Sequence, residues 1–382
     1  MKLVHAITTS VGLAMGLALC APAVAQPFNR LIGAGANESA NGVAATRDGG
    51  YVTVGAIVEQ TAVNRDILVV KYRADGSFEW ASRFGGPGQD IGYSVQQTRD
   101  GGYVIGAETE SVGAQLNLAM LRLDPIGNYM WSRVHEGDTS AEDMIYGEGA
   151  GVSVRETELG FVMTGRKRVS ATNQMGVVIG TSAAGAPMFN FRYGDSRFNE
   201  LTQLGFTDIR VARDGTLYVV GAEIMNNVTG VVGVDPILLR LTPAGAPIFA
   251  RNYTLAASTG VEKGVGDGLD ICENGDIVFD GRTDIFGAGS TNIQAFRTDP
   301  AGAIRWVKVL PRDGSAYRSI HQDRRGEIAL AGWKVGTAGG LSGNGLLVVL
   351  NPLTGVPLWE MEYDYLSKAN GMVPTPLSDG YA

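Results

Sequence analysis

The chain has 382 residues, 54 of them glycine, with 45% hydrophobic and 18% charged residues and a formal net charge of −8. That apolar content excludes a disordered chain, and the glycine share, about twice the usual ~7%, stays far below the one-third of collagen. The acidic balance excludes the basic footprint of a nucleic-acid binder, and the length allows two or three ordinary domains or one large repeat domain.

The first element in chain order is an address. Lys2 supplies a positive start, an apolar run continues through Val11–Leu19, and Ala23-Val-Ala25 forms an A-x-A cleavage site before Gln26. This pattern predicts a secretory signal peptide over residues 1–25. The apolar run is shorter than the ~20 residues that a membrane-spanning helix needs. Leu19 stands before Cys20, where a lipoprotein signal prefers a small residue. Residues 26–382 are therefore expected as one mature domain, periplasmic or secreted, with no transmembrane segment. That domain keeps a single cysteine, Cys272, so an internal disulfide is excluded.

A repeat of 50 to 60 residues governs the rest. Thr46-Arg-Asp-Gly-Gly-Tyr-Val52 returns as Thr98-Arg-Asp-Gly-Gly-Tyr-Val104. The same layout recurs at Glu158–Gly165, Arg213–Gly221, Glu273–Gly281 and Arg325–Gly332. Each copy continues into an apolar run, a turn and a Gly-x-x-x-aromatic group. The aromatic positions are Trp80, Trp131, Phe189, Phe249, Trp306 and Trp359, spaced by 51, 58, 60, 57 and 53 residues.

Both halves of the unit predict hairpins. Asp-Gly-Gly between two apolar runs supplies the positive-φ glycine that a tight hairpin needs. Asp124-Pro-Ile-Gly127, Thr242-Pro-Ala-Gly245 and Asp299-Pro-Ala-Gly302 carry the signature of a type I turn. Each unit thus has four strands, a to d. Strand c is apolar on both faces, as in Leu118-Ala-Met-Leu121 and Leu346–Leu350, so the sheets are expected to be covered on both sides. Four short strands repeated six times predict an all-β fold, a β-propeller. Phe28–Gly33 looks like a strand d, and Ala369–Ala382 echoes strand a and the start of b. The expectation is six full repeats plus a partial seventh blade shared by the two termini, with a six-bladed ring as the alternative.

The units resemble the Asp-Gly-Gly-Tyr type repeats of exported bacterial β-propellers, over roughly residues 27–382. The resemblance implies the fold and no ligand. The third unit departs most, with Glu158-Leu-Gly160 in place of Asp-Gly-Gly and Phe189 in place of tryptophan.

No catalytic, cofactor-binding or metal-ligating residue is singled out. The aromatics recur at one structural place, which favours packing between blades over ligand stacking. Asp48 and Asp100 suit hairpins that bond their own backbone, whereas calcium needs several oxygens close together. Strand c carries a cation five residues after an Asp or Asn: Asp66/Lys71, Asn117/Arg122, Asp235/Arg240 and Asn292/Arg297. These pairs cannot bond internally across the strand, so blade-to-blade salt bridges or solvated ends are expected. His135 and His321 lie far apart with no cysteine partner, and Cys272 reads as a buried small hydrophobe. The a–b and c–d turns share one face, and the longer b–c and d–a connections share the other. Asp90, Glu136, Asp138, Asp143, Asp195 and Asp267 fall in or near the d–a connections. The expected function is that of a non-enzymatic module binding protein or polysaccharide through the long-loop face. The alternative is a propeller-fold enzyme, a hydrolase, lyase or quinone-type dehydrogenase, whose carboxylates or histidines would converge on the central channel.

Overall fold

The computed structural model describes residues 37–58, 64–112, 116–135, 152–170, 173–193, 202–226, 232–253, 268–283, 292–310, 316–335 and 343–363. They form 24 strands in six four-stranded antiparallel sheets, arranged as a six-bladed β-propeller. In each sheet the strands lie side by side in chain order, a-b-c-d. Blades 1 to 6 span residues 37–84, 90–135, 153–193, 202–252, 269–310 and 316–363. The blade count is that of the six-bladed alternative. Phe28–Gly33 and Ala369–Ala382, on which a shared seventh blade rested, lie outside the described residues, as does the expected signal peptide.

The hairpins form as their residues dictate. In the a–b turn of blade 2, Gly101 sits at φ 92°. Asp100 Oδ1 accepts the Gly102 N–H at 3.1 Å, and the Thr98 N–H closes the turn on Gly102 O at 2.8 Å. Strand c is buried along its whole length in blades 2 and 5, over Asn117–Leu123 and Asn292–Thr298. Apolar clusters join consecutive blades: Val54, Val69, Ile105 and Leu121 bridge blades 1 and 2, and Phe206, Val178 and Leu239 bridge blades 3 and 4. Burying one such side chain contributes about 1.5–3 kcal/mol, so every blade leans on its neighbour for stability. Strand d forms the outer edge, and its side chains are largely exposed.

The repeated aromatics seat each blade on the next. Trp80 of blade 1 lies over the c–d turn of blade 2, where a Cβ on Gly127 would fall 2.7 Å from the indole. Trp131 meets Gly185 and Trp306 meets Gly355 in the same way. In blade 4 the neighbours of Gly302 are Arg251 and Tyr253.

The strand-c cations differ from expectation. Lys71, only 2% exposed, pairs with Asp48 at 2.7 Å and Glu79 at 3.1 Å, both in its own blade. Arg122 pairs with Asp100, Arg240 with Asp214 at 2.8 Å and Arg297 with Asp276 at 2.9 Å. The partner is the third residue of the five-residue a–b turn in blades 1, 2 and 4 and the last in blade 5, beside strand c across strand b's start in the same sheet. Two of the cations also reach the following blade: Arg240 approaches Pro300 O at 3.5 Å and Arg297 donates to Pro352 O at 2.6 Å.

One backbone feature prepares the channel. Strand a shifts register at the same place in four blades, between Ala40/Gly42, Gly92/Ser94, Phe206/Asp208 and Tyr317/Ser319. A bulge of this kind re-aims the side chains around it.

Candidate active site in the central channel

Strands a surround a cavity of about 600 Å³ lined from blades 1, 2, 3, 4 and 6, among others by Asn41, Tyr93, Arg155, Asp208, Arg210 and His321. Pairing registers show which residues are equivalent around the ring. The position one before the strand-a residue that pairs with the first residue of strand b holds Ala44, Gln96, Arg155, Arg210, Asp270 and His321 in blades 1 to 6. Two residues earlier stand Gly42, Ser94, Ser153, Asp208, Gly268 and Ser319. The two layers hold charge on one side of the channel and small or polar groups on the other.

Asp208 ties three blades together. Its Oδ1 accepts the Ser153 hydroxyl of blade 3 at 2.6 Å, and its Oδ2 accepts the Leu269 N–H of blade 5 at 3.1 Å. Arg155 Nη2 lies 3.3 Å from Oδ1, and Arg210 Nη1 donates to the same oxygen. Burial pushes this carboxyl up, but Arg210, Arg155, the Ser153 hydroxyl and the Leu269 amide together hold it below the usual carboxylate range.

Asp270 and His321 form a second pair. His321 Nδ1 lies 3.4 Å from Asp270 Oδ2, which also accepts the Gln322 N–H at 2.9 Å. Arg210 Nε stands 3.8 Å from Asp270 Oδ1. Burial again opposes ionisation, and His321, Arg210 and the Gln322 amide outweigh it, so Asp270 is held below its ordinary value. A carboxylate on Nδ1 fixes the imidazole ring and its tautomer, and leaves Nε2 as the basic nitrogen. Burial, then the charge of Arg210, brings Arg155 down to about 10, still protonated at neutral pH.

Tyr93 lines the same cavity from the bulge of blade 2. Burial and the carboxyl of Glu108, to which it hydrogen-bonds, push its phenol far above the ordinary range. Glu108 itself is 2% exposed, and burial raises it to about 7. Among the described residues no group of three or more His, Cys, Asp or Glu is placed to hold a metal ion.

Cys272 is buried, as expected, and burial pushes its thiol up to about 12. Asp48 and Asp100 serve their hairpins and the strand-c cations. Asp90 is buried and accepts from the Thr109 and Ser111 hydroxyls, so it organises the d–a corner of blade 2. Glu136, Asp138, Asp143, Asp195 and Asp267 lie outside the described residues. His135 stands apart from His321, half-exposed on strand d, and burial with Arg133 lowers it to about 4. The residues that do converge were the ones not singled out: Arg155, Asp208, Arg210 and Asp270, with His321. Their signal was a position that changes from unit to unit while the residue before it stays apolar (Val43, Val95, Val154, Ile209, Leu269 and Ile320).

No family model matches the sequence, and no curated protein sequence matches it. Solved structures do match. The chain is similar to the GH93 α-L-arabinofuranosidase of Fusarium graminearum, with 10% identity, a TM-score of 0.52, and coverage of 81% of this chain and 92% of that one. It is similar to the polysaccharide lyase Uly1, with 10% identity, a TM-score of 0.50, and coverage of 85% and 81%. At such identities the likeness establishes the propeller fold alone.

The expectation of a non-enzymatic scaffold is corrected here. The propellers that this chain resembles are a glycoside hydrolase and a lyase. The channel is not a smooth tube of small side chains but carries two carboxylates, two guanidinium groups and an imidazole. The cavity reaches the face of the a–b turns, through Arg99, Glu158 and Arg213.

Proposed function

We propose that the protein is an extracytoplasmic enzyme that cleaves a uronate-bearing polysaccharide by β-elimination in its central channel. The observation that carries this reading is the Asp270–His321 pair set beside Arg210 and Arg155. Elimination next to a carboxylate needs a base for the C5 proton and cations that neutralise the carboxylate as the adjacent carbon becomes anionic. His321 Nε2 is the base, oriented by Asp270. Arg155 donates to Asp208, Ser94 Oγ and the Val154 carbonyl, and Arg210 to Asp208 and the Ile209 carbonyl, so some of the five N–H donors of each remain for a substrate carboxylate.

In the step, the C5–H electron pair becomes the C4–C5 double bond and the C4–O bond breaks. The proton goes to His321, and the leaving oxygen takes a proton from an acid. Tyr93, protonated throughout, stands in the same cavity and can supply it. A hydrolase would need one carboxyl held protonated beside one ionised. Asp208 is held below the usual carboxylate range by Arg210 and Arg155, and Asp270 by His321 and Arg210, so neither of the two is the protonated partner, which favours the lyase.

The signal-peptide pattern of residues 1–25 supports export, and among the described residues no helix is long and apolar enough to cross a membrane. The repeats support kinship with exported bacterial propellers of Asp-Gly-Gly-Tyr type. The test is incubation of residues 26–382 with a panel of polyuronates and neutral polysaccharides. Appearance of the ultraviolet absorbance of an unsaturated uronate, lost in His321→Ala, supports the reading. Cleavage that yields only saturated reducing ends overturns it.

A further inference from the structure

A second cavity, of about 410 Å³, lies beside the channel between blades 4, 5 and 6. Val211, Ala212 and Arg213 belong to the walls of both cavities, so the a–b turn of blade 4 is the sill between them. A polymer leaving the channel over this sill enters the groove.

The groove is rigid below and charged above. Arg240 Nη2 is fixed by Asp214 at 2.8 Å, and its guanidinium lies 5.3 Å from the centre of the Tyr218 ring. The Tyr218 hydroxyl donates to Pro300 O of blade 5 at 2.8 Å. Ala212, Ile271 and Pro300 give the lining an apolar part that suits the face of a sugar ring.

The charge comes from the turns. The second residue of each a–b turn is exposed, and in blades 1 to 6 it is Arg47, Arg99, Glu158, Arg213, Glu273 and Arg324. The collar is net positive on a chain of net charge −8. Arg47 is committed, donating to the carbonyls of Thr98 and Arg99. Among the described residues the guanidinium groups of Arg213 and Arg324 have no ion-pair partner, and both stand at the groove. Of the acids there, Asp214 is occupied by Arg240 and Asp323 by the Glu327 N–H and Arg325, and the exposed Glu273 carboxylate is outnumbered by Arg213 and Arg324.

We propose that this groove is a second subsite, taking the anionic sugar next to the one in the channel, with Arg213 and Arg324 as contacts for its carboxylate. It rests on the polyuronate reading of the channel and adds where the chain runs: across the sill of blade 4, on the face of the tight turns. A charge-assisted contact to each arginine is worth enough to matter, so a uronate tetrasaccharide binds at least about tenfold more tightly than the disaccharide.

The experiment is calorimetric titration of residues 26–382 carrying His321→Ala, which binds without cleaving, with uronate disaccharide, uronate tetrasaccharide and a neutral tetrasaccharide. The tetrasaccharide advantage is expected in this background, to fall to within about twofold on adding Arg324→Ala, and to persist on adding Arg324→Lys. Thermal melts show that the variants are folded. Equal affinity for the two uronate oligomers, or an equal gain for the neutral one, overturns the subsite while the channel reading stands. Absence of any uronate binding removes both.

Discussion

His321 Nδ1 lies 3.4 Å from Asp270 Oδ2, and the two residues occupy the same position in neighbouring blades. The ring thus places a base and its orienting carboxylate side by side without any sequence motif. Asp270→Asn keeps the shape but removes the charge that holds the tautomer. Turnover on a polyuronate is expected to fall about 10²- to 10⁴-fold, with KM much less affected. Steady-state kinetics of the purified variant check this.

Asp208 binds Ser153, Leu269, Arg155 and Arg210 at once. Asp208→Ala leaves the poorly exposed Arg155 guanidinium without its carboxylate and Arg210 with Asp270 alone, so a loss of about 3–5 kcal/mol is expected from denaturant unfolding. Asp208→Asn is expected to lose less, because its amide oxygen can still accept from Ser153, while the Leu269 N–H loses its acceptor.

Gly101 and Gly127 separate backbone strain from collision. Both have positive φ, 92° and 83°. A Cβ on Gly101 meets only the Pro125 ring at 3.6 Å, whereas on Gly127 it falls 2.7 Å from Trp80. Gly101→Ala is expected to cost about 1–2 kcal/mol, the price of a left-handed alanine. Gly127→Ala is expected to cost clearly more, and Trp80→Phe in the same chain to return part of the difference. Thermal melts compare them.

These glycines mark what was legible in the residues. Turn chemistry and strand-c apolarity announce hairpins, blades and a ring. The ion pairs were half legible: Asp48 was read as a hairpin residue and Lys71 as a blade-to-blade cation, because their neighbourhood needs the register of three strands. The channel was illegible for a different reason. A search for repeats rewards identity, and the site occupies the position where the six units disagree, from Ala44 to His321. The partial seventh blade suggested by strand-like patterns at residues 28–33 and 369–382 lies outside the described residues.

Two carboxyls move stability in opposite directions with pH. Asp48 is lowered to about 2: burial opposes the shift, while Lys71, Thr46 and the Gly50 N–H produce it. Its contribution is present above the ordinary value of 3.8 and is lost as pH falls toward 2. Glu108 is raised from 4.5 to about 7, chiefly by burial. The native state holds that proton longer than the unfolded chain, so stability falls by about 3 kcal/mol as pH rises from 4.5 to 7. Glu108→Gln is expected to flatten that limb, and Asp48→Asn the acid one, in urea titrations across pH.

Cys272 is 3% exposed, with its thiol raised to about 12. Native residues 26–382 are expected to resist a thiol reagent at neutral pH and to react at one site per chain once unfolded in guanidinium.

The most direct test of the channel is elimination itself. Residues 26–382 are mixed with a polyuronate, and ultraviolet absorbance is followed for wild type, His321→Ala and Arg210→Lys. The wild type is predicted to generate unsaturated ends, His321→Ala to lose them, and Arg210→Lys to be strongly impaired. A wild type that releases no unsaturated product from any polyuronate, or a His321→Ala variant as fast as wild type, would contradict the assignment.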